Sequence, residues 1–129
     1  MIKITDQQKR LIEEKAIALA TADLNSTPNV VGVACCKVVD DNKILITDNY
    51  MNKTRKNLLE NKKIAIAVWS RDEKEGYQFK GMAEYLKSGE WKKMVDSDPD
   101  NEGLSHKAAV LITVEEIWDL VSPKLLAAK

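Results

Sequence analysis

The chain predicts a mainly β fold, an antiparallel barrel of sequential hairpins with small helices set between them. Three observations carry that prediction. Apolar runs of strand length recur along the chain, turn residues punctuate them, and helical periodicity is confined to three brief stretches. The 129 residues suffice for one domain, residues 1–129, with a real core and no disulfide support.

Each element has its own signal. Thr5-Asp6-Gln7-Gln8 has the form of a capping box, and Leu11, Ile12 and Ala16 give the apolar side of a short helix. Residues 16–21 read as a first strand, and Asp23-Leu24-Asn25-Ser26-Thr27-Pro28 as a turn. Residues 29–39 read as one long second strand. Gly32 within it marks a β-bulge, a close approach to the backbone, or both. Asp40-Asp41-Asn42 turns the chain into a strand over 43–47, and a helix is expected from Thr54 to about Glu60. Residues 63–70 form the next strand, continuously apolar from Ile64 to Trp69, which calls for cover on both faces. After a solvated loop over 71–76, residues 77–85 pair back on it. A helix follows over about 88–96, with Trp91, Met94 and Val95 at helical spacing. Residues 97–103 are a loop, and 108–114 are the last strong strand, with a continuation through Ile117 and Trp118.

Composition narrows the partners. Hydrophobic residues make up 44% and charged residues 31%, and 20 Lys+Arg balance 20 Asp+Glu. A formal net charge of zero argues against nucleic acid or an acidic membrane as the main partner, and it leaves self-association unopposed. The N-terminal residues lack the apolar core of a signal peptide, and no apolar run reaches the length of a membrane span. Cys35 and Cys36 are adjacent, so in an extended strand they point to opposite faces and do not bridge. Two free thiols fit a reducing, cytoplasmic location.

The strongest chemical signal is the run Met51-Asn52-Lys53-Thr54, where a β-rich segment gives way to a helix. The junction offers an ammonium, a hydroxyl and free helix-start N–H groups at one point, a set able to hold a phosphate dianion. Taken alone, the same residues also describe a helix cap between solvated lysines. The three tryptophans read as core or interface residues, and His106 as a loop residue. Lys80 reads as a solvated lysine. Asp98, Asp100 and Glu102 alternate without the glycine and distal glutamate of a calcium loop, and no metal site is expected.

Several motifs in order resemble the split-barrel flavin-binding proteins of the pyridoxamine 5'-phosphate oxidase-like superfamily, above all its small single-domain FMN-binding members. They are Ala18-Leu19-Ala20-Thr21, Thr27-Pro28-Asn29-Val30, Ile44-Leu45-Ile46-Thr47-Asp48, Met51-Asn52-Lys53-Thr54 with Asn57-Leu58, Tyr77-Gln78-Phe79-Lys80-Gly81-Met82-Ala83 and Ala109-Val110-Leu111-Ile112. The resemblance implies a six-stranded antiparallel split β-barrel, a homodimer, and FMN bound in clefts between subunits. It places the FMN phosphate at Met51, Asn52, Lys53 and Thr54. It lays the isoalloxazine along Val31, Gly32 and Val33, with Thr47 and Asp48 bordering the ring or ribityl chain. It implies a flavin-dependent oxidoreductase acting on an unknown small molecule or electron partner. A non-catalytic electron carrier or flavin-binding module is the alternative, and a haem- or deazaflavin-binding member a further one. The final residues, Ser122 to Lys129, carry no counterpart of the Arg and His groups that hold substrate in pyridoxamine phosphate oxidases proper. Vitamin B6 oxidation is therefore not expected. No side chain stands out as a catalytic acid or nucleophile.

Overall fold

A computed structural model describes residues 2–129. In chain order the elements are α1 (Asp6–Glu14), β1 (Ile17–Ala22), β2 (Pro28–Val33), β3 (Cys36–Asp40), β4 (Lys43–Asp48) and α2 (Lys53–Glu60). Then come β5 (Lys63–Ser70), β6 (Glu75–Leu86), α3 (Glu90–Ser97), a 3-10 turn (Pro99–Asn101), β7 (Ala108–Asp119) and β8 (Leu125–Ala128). The strands form one antiparallel sheet in the order β2-β1-β5-β6-β7-β4-β3, with β8 added to β7. The mainly β prediction holds, with eight strands where six were expected.

The extra strands have separate origins. The predicted strand over 29–39 divides at Ala34 and Cys35. Its first half pairs with β1 and its second with β4. β8 is a short C-terminal segment that pairs with β7 from Glu116↔Ala128 to Trp118↔Leu125.

The division at Ala34–Cys35 determines the shape. β2 and β3 lie at opposite ends of the strand order, yet only two residues join them. Seven strands laid flat at about 4.8 Å spacing would hold those edges roughly 29 Å apart. Two linking residues span at most about 10 Å. The sheet must therefore curl until its edges meet, a barrel closed by the chain and not by a hydrogen-bonded ladder. The Thr47 N–H donates to the Cys35 carbonyl at 3.3 Å, which extends the β3–β4 pairing one step into the link.

Phe79, Leu19, Ile44, Ile46, Ile66, Val68, Ile112 and Ile117 fill the barrel, all essentially inaccessible. Helix α1 closes it with Leu11 and Ile12, both 0% exposed. Its start is the expected capping box: the Gln8 N–H donates to Thr5 Oγ1, and the Thr5 N–H donates to Gln8 Oε1. A second small cluster lies outside the barrel wall, where Val95 of α3 packs on Leu45, Ala109 and Leu111. That double cover is why β7 is buried at every position from Ala108 to Leu111 and on to Ile112.

Two sequence expectations change here. β2 runs against β1 without a shift, from Ile17↔Val33 to Ala22↔Pro28, so Gly32 is not a bulge. The bulges lie at Val38/Asp40, Lys80/Gly81 and Ile117/Trp118. β5 buries Ile64, Ile66, Val68 and Ser70, but on its other face Trp69 is 53% exposed and Ala65 and Ala67 are half-buried. The second layer expected over that face is not supplied by the chain's own helices.

Candidate functional site

Two separate segments converge at the seam. Val31, Gly32 and Val33 of β2, Ala34 and Cys35 of the link, Thr47 of β4, and Asn49, Tyr50 and Met51 line a cavity of about 330 Å³. Five residues singled out from sequence (Val31, Gly32, Val33, Thr47 and Met51) are in this wall. Gly32 is exposed, and a Cβ placed on it would meet nothing within 4 Å, so the backbone there is open to a close neighbour.

A second hollow of about 290 Å³ lies along the same two segments, lined by Asp23, Thr27, Pro28, Asn29, Lys53, Lys56 and Asn57. Asn29 and Val31 are two residues apart on β2, about 7 Å. Met51 and Lys53 are two apart entering α2. The hollows therefore neighbour each other along the same two segments, one walled mainly by small apolar groups and the other by Lys53 and Lys56 with Asp23 and uncharged residues.

The start of α2 leaves first-turn amides free of a side-chain cap. The helix begins at Lys53, one residue earlier than the sequence suggested. Asn52 stands at its cap with no side-chain hydrogen bond to the first-turn amides. Thr54 is not the cap: it is 1% exposed, and its Oγ1 accepts from Asn29 Nδ2 at 3.2 Å. Lys53 and Lys56 are exposed beside it. Arg55 contributes a group the sequence reading passed over. Its Nε is buried and has no partner among the described residues, and the arginine lies close enough to act electrostatically on Tyr85. A buried donor without an acceptor is costly unless something completes it.

Asp48 is not in the cavity wall. It is 0% exposed, accepts the Met51 N–H at Oδ1 (2.8 Å) and takes the Tyr85 hydroxyl at Oδ2. Its backbone carbonyl accepts the Lys107 N–H at 2.8 Å. It ties the entry of α2 to β6 and β7. Burial and the bond to Asp48 push the Tyr85 phenol well above its ordinary range.

Sequence reasoning also passed over Asn49, Tyr50 and Cys35. Asn49 Oδ1 accepts the His106 N–H at 2.8 Å. Burial, with Asp100 and Asp98 nearby, raises the Cys35 thiol, and burial raises Cys36 further. Both thiols are free and resist ionisation, which does not suit a redox pair. His106 has φ 27° and pairs through Nδ1 with Asp96 Oδ1 at 2.7 Å. Lys80 stacks over Trp118, 5.7 Å from the ring centroid. Among the described residues no group of His, Cys, Asp or Glu could hold a metal ion, and no helix is long and apolar enough to cross a membrane.

The chain is 39% identical over 129 residues to an uncharacterised protein of Methanocaldococcus jannaschii, covering 95% of this chain and 84% of that one. The crystal structure of HupZ from Group A Streptococcus superposes with a TM-score of 0.89 at 30% identity, covering 96% of this chain and 99% of that one. Two more distant structures share the fold. One is an FMN-binding protein of Syntrophomonas wolfei (TM-score 0.73, 21% identity, 87% and 82% covered). The other is HutZ, the haem storage protein of Vibrio cholerae (0.68, 15%, 92% and 95%). The sequence profile described as pyridoxamine 5'-phosphate oxidase matches residues 4–120, and with most of its length inside that match the chain belongs to this family.

Proposed function

We propose that the chain is an FMN-binding flavoprotein, with the ring in the β2–β4 cavity and the phosphate at the start of α2. The observation that carries this reading is the pairing of an open glycine wall with a hollow at the uncapped start of α2 that Lys53 and Lys56 line. The first suits a flat apolar ring, and the second suits an anion. Thr54 is suited to the same end. With Asn29 donating to its oxygen, its own proton remains for a phosphate oxygen. FMN supplies hydride or single-electron transfer when bound, and the protein orients it and tunes its potential. That chemistry makes a flavin-dependent oxidoreductase the leading activity and an electron carrier the alternative.

The assembly is a homodimer in this reading. The β5 face around Trp69, with Val30 at 65% exposure, borders a hollow lined by Ala16, Ile17, Ala18, Val31 and Gly32, so a second copy would cover it beside the ring site.

Titration of the apoprotein with FMN, followed by flavin fluorescence, tests the reading. FMN should bind at micromolar or tighter Kd and riboflavin more weakly. Lys53→Ala should weaken FMN by about tenfold while leaving riboflavin unchanged. Equal affinity for both flavins would remove the phosphate assignment, and light scattering of a monomer that holds FMN tightly would remove the dimer.

One observation favours a second reading, haem binding. His106 carries Asp96 on Nδ1, leaving Nε2 available, and its N–H is held by the cavity residue Asn49. A Soret band on haemin titration that is lost in His106→Ala would support it against FMN.

A further inference from the structure

Thr47 and Tyr50 are the two hydroxyl side chains in the wall of the β2–β4 cavity; Tyr50 is largely exposed, whereas Thr47 is 6% exposed. It does not stand alone. Asn101, the last residue of the 3-10 turn, is 1% exposed and donates from Nδ2 to Thr47 Oγ1 at 3.0 Å and to the Val95 carbonyl at 2.8 Å. The second bond fixes the direction of the first. A carbonyl can only accept, so the amide nitrogen must face Val95, and the same NH2 group then also faces Thr47. The Thr47 oxygen is thereby used as an acceptor. No described residue accepts the proton that the hydroxyl still carries. The opposite end of the amide, Asn101 Oδ1, is buried with no partner among the described residues. An isolated buried carbonyl is a cost that an apolar residue would avoid, so the amide is not there for packing alone.

We propose that Asn101 is a positioning residue that acts through Thr47. By occupying the oxygen of the hydroxyl it leaves the proton directed to an acceptor atom of the ligand in the cavity. This rests on the FMN reading, in which the acceptor is a carbonyl oxygen or ring nitrogen of the flavin. Asn101 lies 54 residues from Thr47, on a turn anchored by Asp98, whose Oδ1 accepts the Asp100 N–H, and by an ion pair between Asp100 and Lys37. The donor character of the site is therefore set by a segment outside the barrel wall.

The test is a double-mutant cycle read by FMN affinity and by the flavin absorbance bands, which respond to hydrogen bonding at the ring. Thr47→Val should weaken FMN about fivefold and shift the bands, whereas Thr47→Ser should behave as the parent. Asn101→Asp presents an acceptor in place of the donor, so it should draw the hydroxyl proton away and reproduce the Thr47→Val loss. On the Thr47→Val background Asn101→Asp should cost no further affinity. A loss of the same size on both backgrounds would mean that Asn101 acts only on structure and would overturn the proposal.

In the ligand-free protein, the Asn101 side-chain NH2 protons should show slow solvent exchange by NMR, and Thr47→Val should speed it. Rapid exchange in the parent would overturn the bond on which everything depends. If Asn101→Asp does not fold, the contrast between Thr47→Val and Thr47→Ser decides the matter with this exchange measurement. FMN binding that Thr47→Val leaves unchanged removes the inference alone. A parent chain that takes no FMN removes the flavin reading and the inference together.

Discussion

Gly81→Ala should destabilise the fold by about 3 kcal/mol or more, at the upper end of what overpacking does. Gly81 sits at the β6 bulge, where the register against β7 shifts between Lys80 and Gly81. A Cβ there would lie 2.0 Å from the Thr113 carbonyl oxygen and 2.9 Å from its carbon. Those atoms are backbone in a paired strand, so nothing flexible can step aside. Relief requires moving β6 from β7 at the centre of the sheet, along a ladder that runs from Tyr77↔Asp119 to Leu86↔Ala109. Thermal and denaturant unfolding should both register the loss, with a Tm lower by about 10 °C. Gly32→Ala is the control, because its Cβ would meet open space. A loss below about 1 kcal/mol in Gly81→Ala would mean that the strands can separate without penalty.

Asp48→Ala should cost about 3 kcal/mol and also weaken any ligand held by α2. The substitution strips the acceptor from the Met51 N–H and the Tyr85 hydroxyl in one step. Asp48→Asn should cost much less. Its amide oxygen can still take the Met51 N–H, and its NH2 can donate to the Tyr85 oxygen. Equal losses in the two variants, measured by urea unfolding, would show that the side-chain bonds carry no weight.

The same pair sets a pH dependence. The Tyr85 phenol holds its proton more tightly folded than unfolded, through burial first and the Asp48 bond second. Its contribution is present below the unfolded value of about 10 and is lost as pH rises towards the folded one. Tyr77, pushed up to about 12 chiefly by its hydrogen bond to Glu75, acts in the same direction. Stability should fall above pH 10, and less steeply in Tyr85→Phe.

Much of this was legible in residue order. Apolar runs gave β1, β4, β5, β6 and β7, and the Thr5–Gln8 capping box marked the start of α1. The break between β2 and β3 was not legible. Val33-Ala34-Cys35-Cys36 stays small and apolar through a point where the chain changes pairing partner, and pairing is a tertiary fact. β8 was hidden for a related reason. Leu125-Leu126-Ala127-Ala128 are good helix formers, and only the neighbouring β7 makes them extended.

In the site, Lys53 and Thr54 were readable from residue type at a helix start. The resemblance sets Asp48 beside the ring with Thr47, yet strand alternation turns its side chain to the opposite side, where it meets Tyr85, 37 residues away. Asn101 and the buried Arg55 Nε had no local signal, since their meaning lies entirely in what surrounds them.

The seam at Ala34–Cys35 has a dynamic consequence. Elsewhere the barrel circumference is fixed by ladders, and widening it would break several bonds together. At the seam the edges of β2 and β3 are joined by covalent chain with little hydrogen bonding across, so they can part slightly at small cost. The cavity lies on that line, so it borders the softest part of the wall. Amide hydrogen exchange should show β2 opening well before β5, β6 and β7, with the difference narrowing once the cavity is filled. Uniform protection around the barrel would mean that the split is one of topology and not of motion.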